Sequence, residues 1–148
     1  MGPGFGKPAA MARIAGSGEA PCLYGSVKFY PAQSGVLVVA DVCGLPKSGG
    51  TGVFGFHIHE GSACTGEDFS DVGGHYNPEG AEHPKHAGDL PPLISCKGRA
   101  YMAVLTDRFC LSEVIGRTVV IHSGPDDFHT QPAGNSGAKI ACGRICKI

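Results

Sequence analysis

Apolar and polar positions alternate with a period of two over seven short stretches: residues 12–16 (ARIAG), 24–30 (YGSVKFY), 35–42 (GVLVVADV), 53–60 (VFGFHIHE), 99–106 (RAYMAVLT), 117–122 (RTVVIH) and 139–146 (KIACGRIC). A two-residue period puts successive side chains on opposite faces, so each stretch predicts a strand. Seven short strands separated by turn signals predict a sandwich or barrel. Two long segments break the pattern, residues 61–93 and 123–137, both rich in Gly, Pro and polar side chains. Connections of that length in a small domain are usually functional or disordered, and these two hold most of the unusual residues.

With 24 glycines, 11 prolines and only 17% charged residues, the composition favours strands and turns over long helices. The 148 residues are enough for one domain with its own core. Residues 1–11 read as a Gly/Pro-rich flexible lead-in and residues 12–148 as the domain. A net charge of -1 without a Lys/Arg cluster gives no footprint for nucleic acid or an anionic membrane, which leaves a small molecule as the expected partner. No run approaches the roughly 20 apolar residues of a membrane span. The first residues lack the apolar core of a signal peptide. A soluble protein is expected, cytoplasmic or secreted.

The chemistry lies in the histidines. His57 and His59, in "GFHIHE", share one strand face at a separation of roughly 7 Å. That spacing suits two ligands of one metal ion, and equally a polar face turned to water. The first long segment then supplies His75, His83, His86 and Asp89, three imidazoles and a carboxylate of the kind that completes a tetrahedral zinc shell. No HExxH pattern follows His59 and Glu60, which argues against a zinc protease of that type.

Taken in order, "GFHIHE", "GGHYNP", "HAGDLP", "IGRTVVIH", "DD" and "GNSGAKIACG" make the chain resemble the Cu/Zn superoxide dismutase family over about residues 12–145. The resemblance implies an all-β fold, an eight-stranded Greek-key β-sandwich or flattened barrel of immunoglobulin-like type, whose two long loops form the metal site. It implies copper held by His57, His59, His75 and His122, and zinc held by His75, His83, His86 and Asp89, with His75 bridging the two. Asp126 then falls where the family has a carboxylate that accepts hydrogen bonds from a copper-ligand and a zinc-ligand imidazole. Cys64 and Cys142 fall at the family's intrasubunit disulfide. The implied reaction is disproportionation of superoxide to dioxygen and hydrogen peroxide, with His75 taking up and releasing a proton and the cation at Lys139 guiding the anion.

Several positions depart from the family pattern. Most members carry arginine where this chain has Lys139; lysine keeps the charge but loses the planar fork. The zinc segment is short, with His83 and His86 separated by Pro84 and Lys85, and an insertion, "GEDFSDVG", precedes His75. No lysine occurs over residues 123–138, so steering of an anion should depend on Lys139 and the metal charge. Cys22, Cys43, Cys96, Cys110 and Cys146 have no family role and read as small buried apolar side chains. His129 reads as a surface histidine. Two rivals stand beside the dismutase, a non-catalytic copper/zinc-binding or copper-delivery domain on the same fold and a zinc hydrolase. Four ligands would close the zinc position that a hydrolase must keep open. A homodimer is compatible with the sequence, but no apolar stretch decides it.

Overall fold

A computed structural model describes residues 6–47 and 50–148. The alternating stretches form β1 (Ala10–Gly16), β2 (Tyr24–Ala32), β3 (Gly35–Cys43), β5 (Phe56–His59), β7 (Ala100–Thr106), β8 (Thr118–His122) and β9 (Lys139–Lys147). These seven make one antiparallel sheet in the order β5-β8-β9-β1-β2-β3-β7. β4 (Val53–Phe54) and β6 (Leu93–Ile94) pair as a separate ribbon. The chain crosses from the β3 side of the sheet to the edge at β5, returns to the far edge at β7, and crosses again from β7 to β8, which is the Greek-key connectivity expected.

Two boundaries differ from the sequence reading. The stretch 53–60 is one alternating run but two strands, divided at Gly55, whose N–H donates to Gly124 O at 2.8 Å. A Cβ at Gly55 would lie 2.6 Å from Ser136 Oγ, so only glycine lets the second loop come this close. The eight strands expected are therefore nine among the described residues, seven in the sheet and two in the ribbon. Of the expected lead-in, residues 1–5 lie outside the described residues, while Ala10 and Met11 already pair with Phe29 and Lys28 in the sheet.

The sheet curls around one core. Val27, Phe29, Val38, Ala40, Phe56, Ile58, Val119, Ile121, Ala141 and Ile145 all point inward and all are fully buried. Each large apolar side chain buried this way contributes about 1.5–3 kcal/mol, so the sheet has a source of stability independent of any metal. The outward positions of β5 and β8 are buried as well. They cannot be covered by the sheet's own core, and the two long loops lie over them instead.

The unpaired cysteines correct an expectation. Cys22, Cys96, Cys110 and Cys146 are exposed and Cys43 is half-buried, so they are not core side chains. Cys43 and Cys146 follow the inward-pointing Val42 and Ile145, and alternation turns them out.

Cys64 and Cys142 are bonded, joining the first long loop to β9 across 78 residues. The "GEDFSDVG" insertion forms 3-10 turns over Glu67–Val72, kinked at Asp68 and Phe69, whose backbone is left-handed. From it Val72 and Phe69 pack on Cys64, Cys142 and Val120. In the chain-entropy account a cross-link over a loop this long stabilises by several kcal/mol. Replacing both cysteines by alanine is expected to lower the unfolding free energy of the metal-free protein by about 3–4 kcal/mol in a urea titration. A loss below about 1 kcal/mol would show that the loop is held by its other contacts.

Candidate metal centre

Strand register builds one half of the centre. His57 pairs with Val120 and His59 with Thr118, while Val120 pairs with Cys142 and His122 with Lys139. All of these therefore lie on the outward face, behind Phe56, Ile58 and Ile121 of the core. The β8–β9 register shifts at His122: Ile121 opposes Ala141 but His122 opposes Lys139, leaving Ile140 as an extra residue in β9. Such a bulge re-aims the residue beside it. Here it brings Lys139 onto the face of His122 while Ile140 stays buried in the core.

Hydrogen bonds fix which ring nitrogen each histidine presents. His59 Nδ1 donates to Gly73 O at 2.8 Å and His122 Nδ1 donates to Gly137 O at 3.3 Å, because a carbonyl can only accept. Both Nε2 atoms are left with lone pairs, and they face one another at 3.3 Å. His57 Nε2 donates to Asp126 Oδ2 at 2.8 Å, leaving Nδ1 buried without a partner. His75 Nε2 is likewise buried and unpartnered. These four nitrogens converge within 4.8 Å of one another.

The other half comes from the first loop. His75 Nδ1 lies 2.7 Å from Asp89 Oδ1, and His83 Nδ1 and His86 Nδ1 lie 3.0 and 3.4 Å from Asp89 Oδ2. His83 Nε2 donates to Asp126 Oδ1 at 2.7 Å, so its Nδ1 faces inward, without a hydrogen-bond partner. His75 thus belongs to both sets, one ring nitrogen turned to each, with its ring stacked on His57 at 4.0 Å between centroids. Every residue singled out from the sequence as a ligand is in one of these two groups, and Asp126 joins them through His57 and His83.

The electrostatics favour cations here. Burial, helped by neighbouring imidazoles, holds His59 down to about 2 and His122 to about 3, and burial also lowers His57 and His86. Burial pushes Asp126 up, but hydrogen bonds from His57, His83 and the Phe128 N–H outweigh it and hold the carboxyl below its ordinary range. Asp89 is lowered in the same way, burial being outweighed by the surrounding imidazoles. The result is two buried carboxylates packed among imidazoles, with His57, His59, His86 and His122 held below the ordinary histidine range. Uncompensated buried charge of this kind is costly, and a bound cation offsets it. Four nitrogens suit copper, and three nitrogens with a carboxylate suit zinc.

A cavity of about 600 Å³ opens over His59, His75 and His122. Its wall includes Asn77, Thr130, Gln131, Asn135 and Ser136, and its one Lys or Arg among the described residues is the half-buried Lys139. His129 is turned to solvent, its side chain 80% exposed, as the sequence suggested.

Some contributors carried no sequence signal. The carbonyls of Gly73 and Gly137 orient His59 and His122, and backbone acceptors are invisible in residue identity. Tyr76, next to His75, stacks under Arg117 with the guanidinium 4.1 Å from the ring centroid. Gly134 has φ +73, and a Cβ there would lie 2.0 Å from Asp126 Oδ1 and 2.7 Å from His83 Nε2.

The depressed histidines make metal-free stability depend on pH. Unfolded histidine titrates near 6.5, so between that value and about 3 the unfolded chain binds protons that buried His59 and His122 refuse. Their contribution is fully present above pH 6.5 and is lost as pH falls toward 3. The melting temperature of the metal-free protein is expected to drop steadily from about pH 7 to about pH 4. A flat profile over that range would mean the rings are not held neutral.

A family model described as copper/zinc superoxide dismutase matches residues 23–145. The chain is 38% identical over 136 residues to superoxide dismutase [Cu-Zn] 2 of Aquifex aeolicus, an alignment covering 82% of this chain and 78% of that one. It is 34% identical over 137 residues to superoxide dismutase [Cu-Zn] of Legionella pneumophila, covering 87% and 82%. In three dimensions it is similar to a SOD-like protein from Bacillus subtilis, with a TM-score of 0.75 and 28% identity over 90% of this chain and 95% of the other. No helix among the described residues is long and apolar enough to cross a membrane. Matching motifs, fold and paired donor sets make this chain a member of the copper/zinc superoxide dismutase family, whose cofactors are copper and zinc.

Proposed function

We propose that this chain disproportionates superoxide to dioxygen and hydrogen peroxide. The observation that carries the reading is His75 at the meeting of two donor sets, one ring nitrogen turned to each. In this reading His57, His59, His75 and His122 hold copper, and His75, His83, His86 and Asp89 hold zinc. Copper, when bound, supplies the one-electron redox change, and zinc supplies fixed charge. His75 Nε2 is the atom at which a proton is held and passed to the departing peroxide. Asp126 keeps the His57 and His83 tautomers fixed by accepting at their far nitrogens. Lys139 draws the anion down the opening, and the uncharged Asn and Thr side chains around it let its field dominate there.

A non-catalytic metal-binding domain is the second reading, favoured by the likeness to a SOD-like protein and by lysine in place of the guiding arginine. Copper and zinc content measured beside a dismutation assay separates the two. The wild type is expected to bind both metals and to be active. His122→Ala is expected to lose at least about 100-fold in activity, at or beyond the 10–100-fold typical of losing an outer partner of a metal ligand. Bound metals without wild-type activity would establish the second reading, and activity that survives His122→Ala would sink the copper site as drawn.

Lysine at position 139 attracts the anion as a point charge, whereas an arginine fork adds a second directed hydrogen bond. One such bond is worth about 0.5–1.5 kcal/mol, so Lys139→Arg is expected to raise kcat/KM roughly two- to tenfold at low ionic strength. An unchanged or lower rate would show that the guiding cation does not limit the enzyme.

A further inference from the structure

The second long loop meets the zinc-side donor set at His83, and it does so in three ways. Asp126 accepts from the ring at 2.7 Å, and Gly134 packs where a Cβ would come within 2.7 Å of the same ring nitrogen. Gln131 addresses the main chain instead. Its Oε1 accepts from the His83 N–H at 2.8 Å, and its Nε2 donates to His83 O at 2.8 Å and to His129 O at 3.1 Å. Among the described residues these are the only hydrogen bonds to the His83 main-chain N–H and C=O. The amide orientation is determined by the partners, since reversing it would set an oxygen against two carbonyls.

A histidine ring is aimed by its main chain at one end and by its far nitrogen at the other. His83 has Gln131 at the first and Asp126 at the second, and its inward Nδ1 lies 3.0 Å from Asp89 Oδ2. Metal ligand distances tolerate only about ±0.2 Å, so a loosened main chain would misplace the donor even with Asp126 intact. Gln131 also lines the opening over His59 and His122. The same side chain therefore ties the wall of the anion's path to a residue of the zinc-side set.

We propose that Gln131 is the positioning residue for His83, setting zinc retention and holding the wall of the substrate opening to the zinc side of the centre. The proposal rests on the assignment of His83 as a zinc ligand. It adds a residue that neither coordinates metal nor bonds to a coordinating ring.

The test compares wild type, Gln131→Met and Gln131→Ala. Methionine keeps the length of the side chain and removes all three hydrogen bonds. Zinc affinity is measured by competition with a chromophoric chelator, and the d–d absorption of cobalt(II) bound in place of zinc is recorded. Copper affinity and the visible spectrum of the copper-loaded protein are the control. Both variants are expected to bind zinc about tenfold more weakly, with a shifted cobalt band and unchanged copper binding. Zinc affinity within about twofold of wild type overturns the proposal, and so does an equal weakening of both metals, which would indicate general loosening. A wild type that binds zinc but shows no dismutation would sink the dismutase reading alone, and the zinc comparison would still decide the role of Gln131. A wild type without a zinc site would sink both.

Discussion

The carboxylate of Asp126 is the contact on which the geometry of the centre depends. It accepts at 2.8 Å from His57, which stands on a strand, and at 2.7 Å from His83, which stands on the first loop, while itself belonging to the second loop. Three separate stretches of chain are thereby held in register by two oxygens. The Phe128 N–H adds a third bond at 2.8 Å and helps keep the acid ionised. Hydrogen bonds to a charged group are worth about 1.5–3 kcal/mol each, so loss of this carboxyl would leave two buried rings free to choose the wrong tautomer. That consequence is larger for metal binding than for folding, because the apolar core lies on the other side of the sheet.

Separation of core from centre follows from strand alternation. Phe56 and Ile58 point inward, and His57 and His59 outward, within one four-residue strand. Burial of both faces costs nothing in unsatisfied main chain, since β5 pairs with β8 on one side and is bridged by His75 and Asp89 on the other. The loops that complete the centre are thus fastened to a sheet that is already stable. The disulfide fastens the first loop at its outer end, and the insertion packed against it ends at Gly73, whose carbonyl orients His59.

Much of this was legible in the sequence. The shared face of His57 and His59 follows from their spacing, and the family motifs point to the remaining members of the two donor groups, the disulfide and Asp126. What escaped was set by tertiary geometry. Nothing in "AKIACG" marks Ile140 as an extra residue, because a bulge beside an apolar strand looks like the strand continuing. Nothing in "HTQPAG" distinguishes Gln131 from a solvated polar loop residue, because its partners are the peptide groups of a segment 48 positions away. The free cysteines misled for a simpler reason. Cysteine is usually buried, but two of these occupy outward strand positions and the others lie outside strands, where residue type says little about exposure.

The bulge at Ile140 and the absence of lysines from the second loop bear on each other. A guiding cation carried by a loop would move with that loop, and its distance to the centre would depend on how well the loop is ordered. Here the cation, Lys139, opens a strand and faces His122 across a pair of sheet positions, so the core beneath Ile140 determines where it sits. The loop is left to hold the centre together through Asp126, Gln131 and Gly134 and to line the opening with uncharged side chains. Under the proposed function, attraction of the anion and retention of the metals would then fall to different parts of the fold. On that proposal, a change of charge at position 139 would alter the approach of the anion without disturbing the bonds that hold His57 and His83 in place.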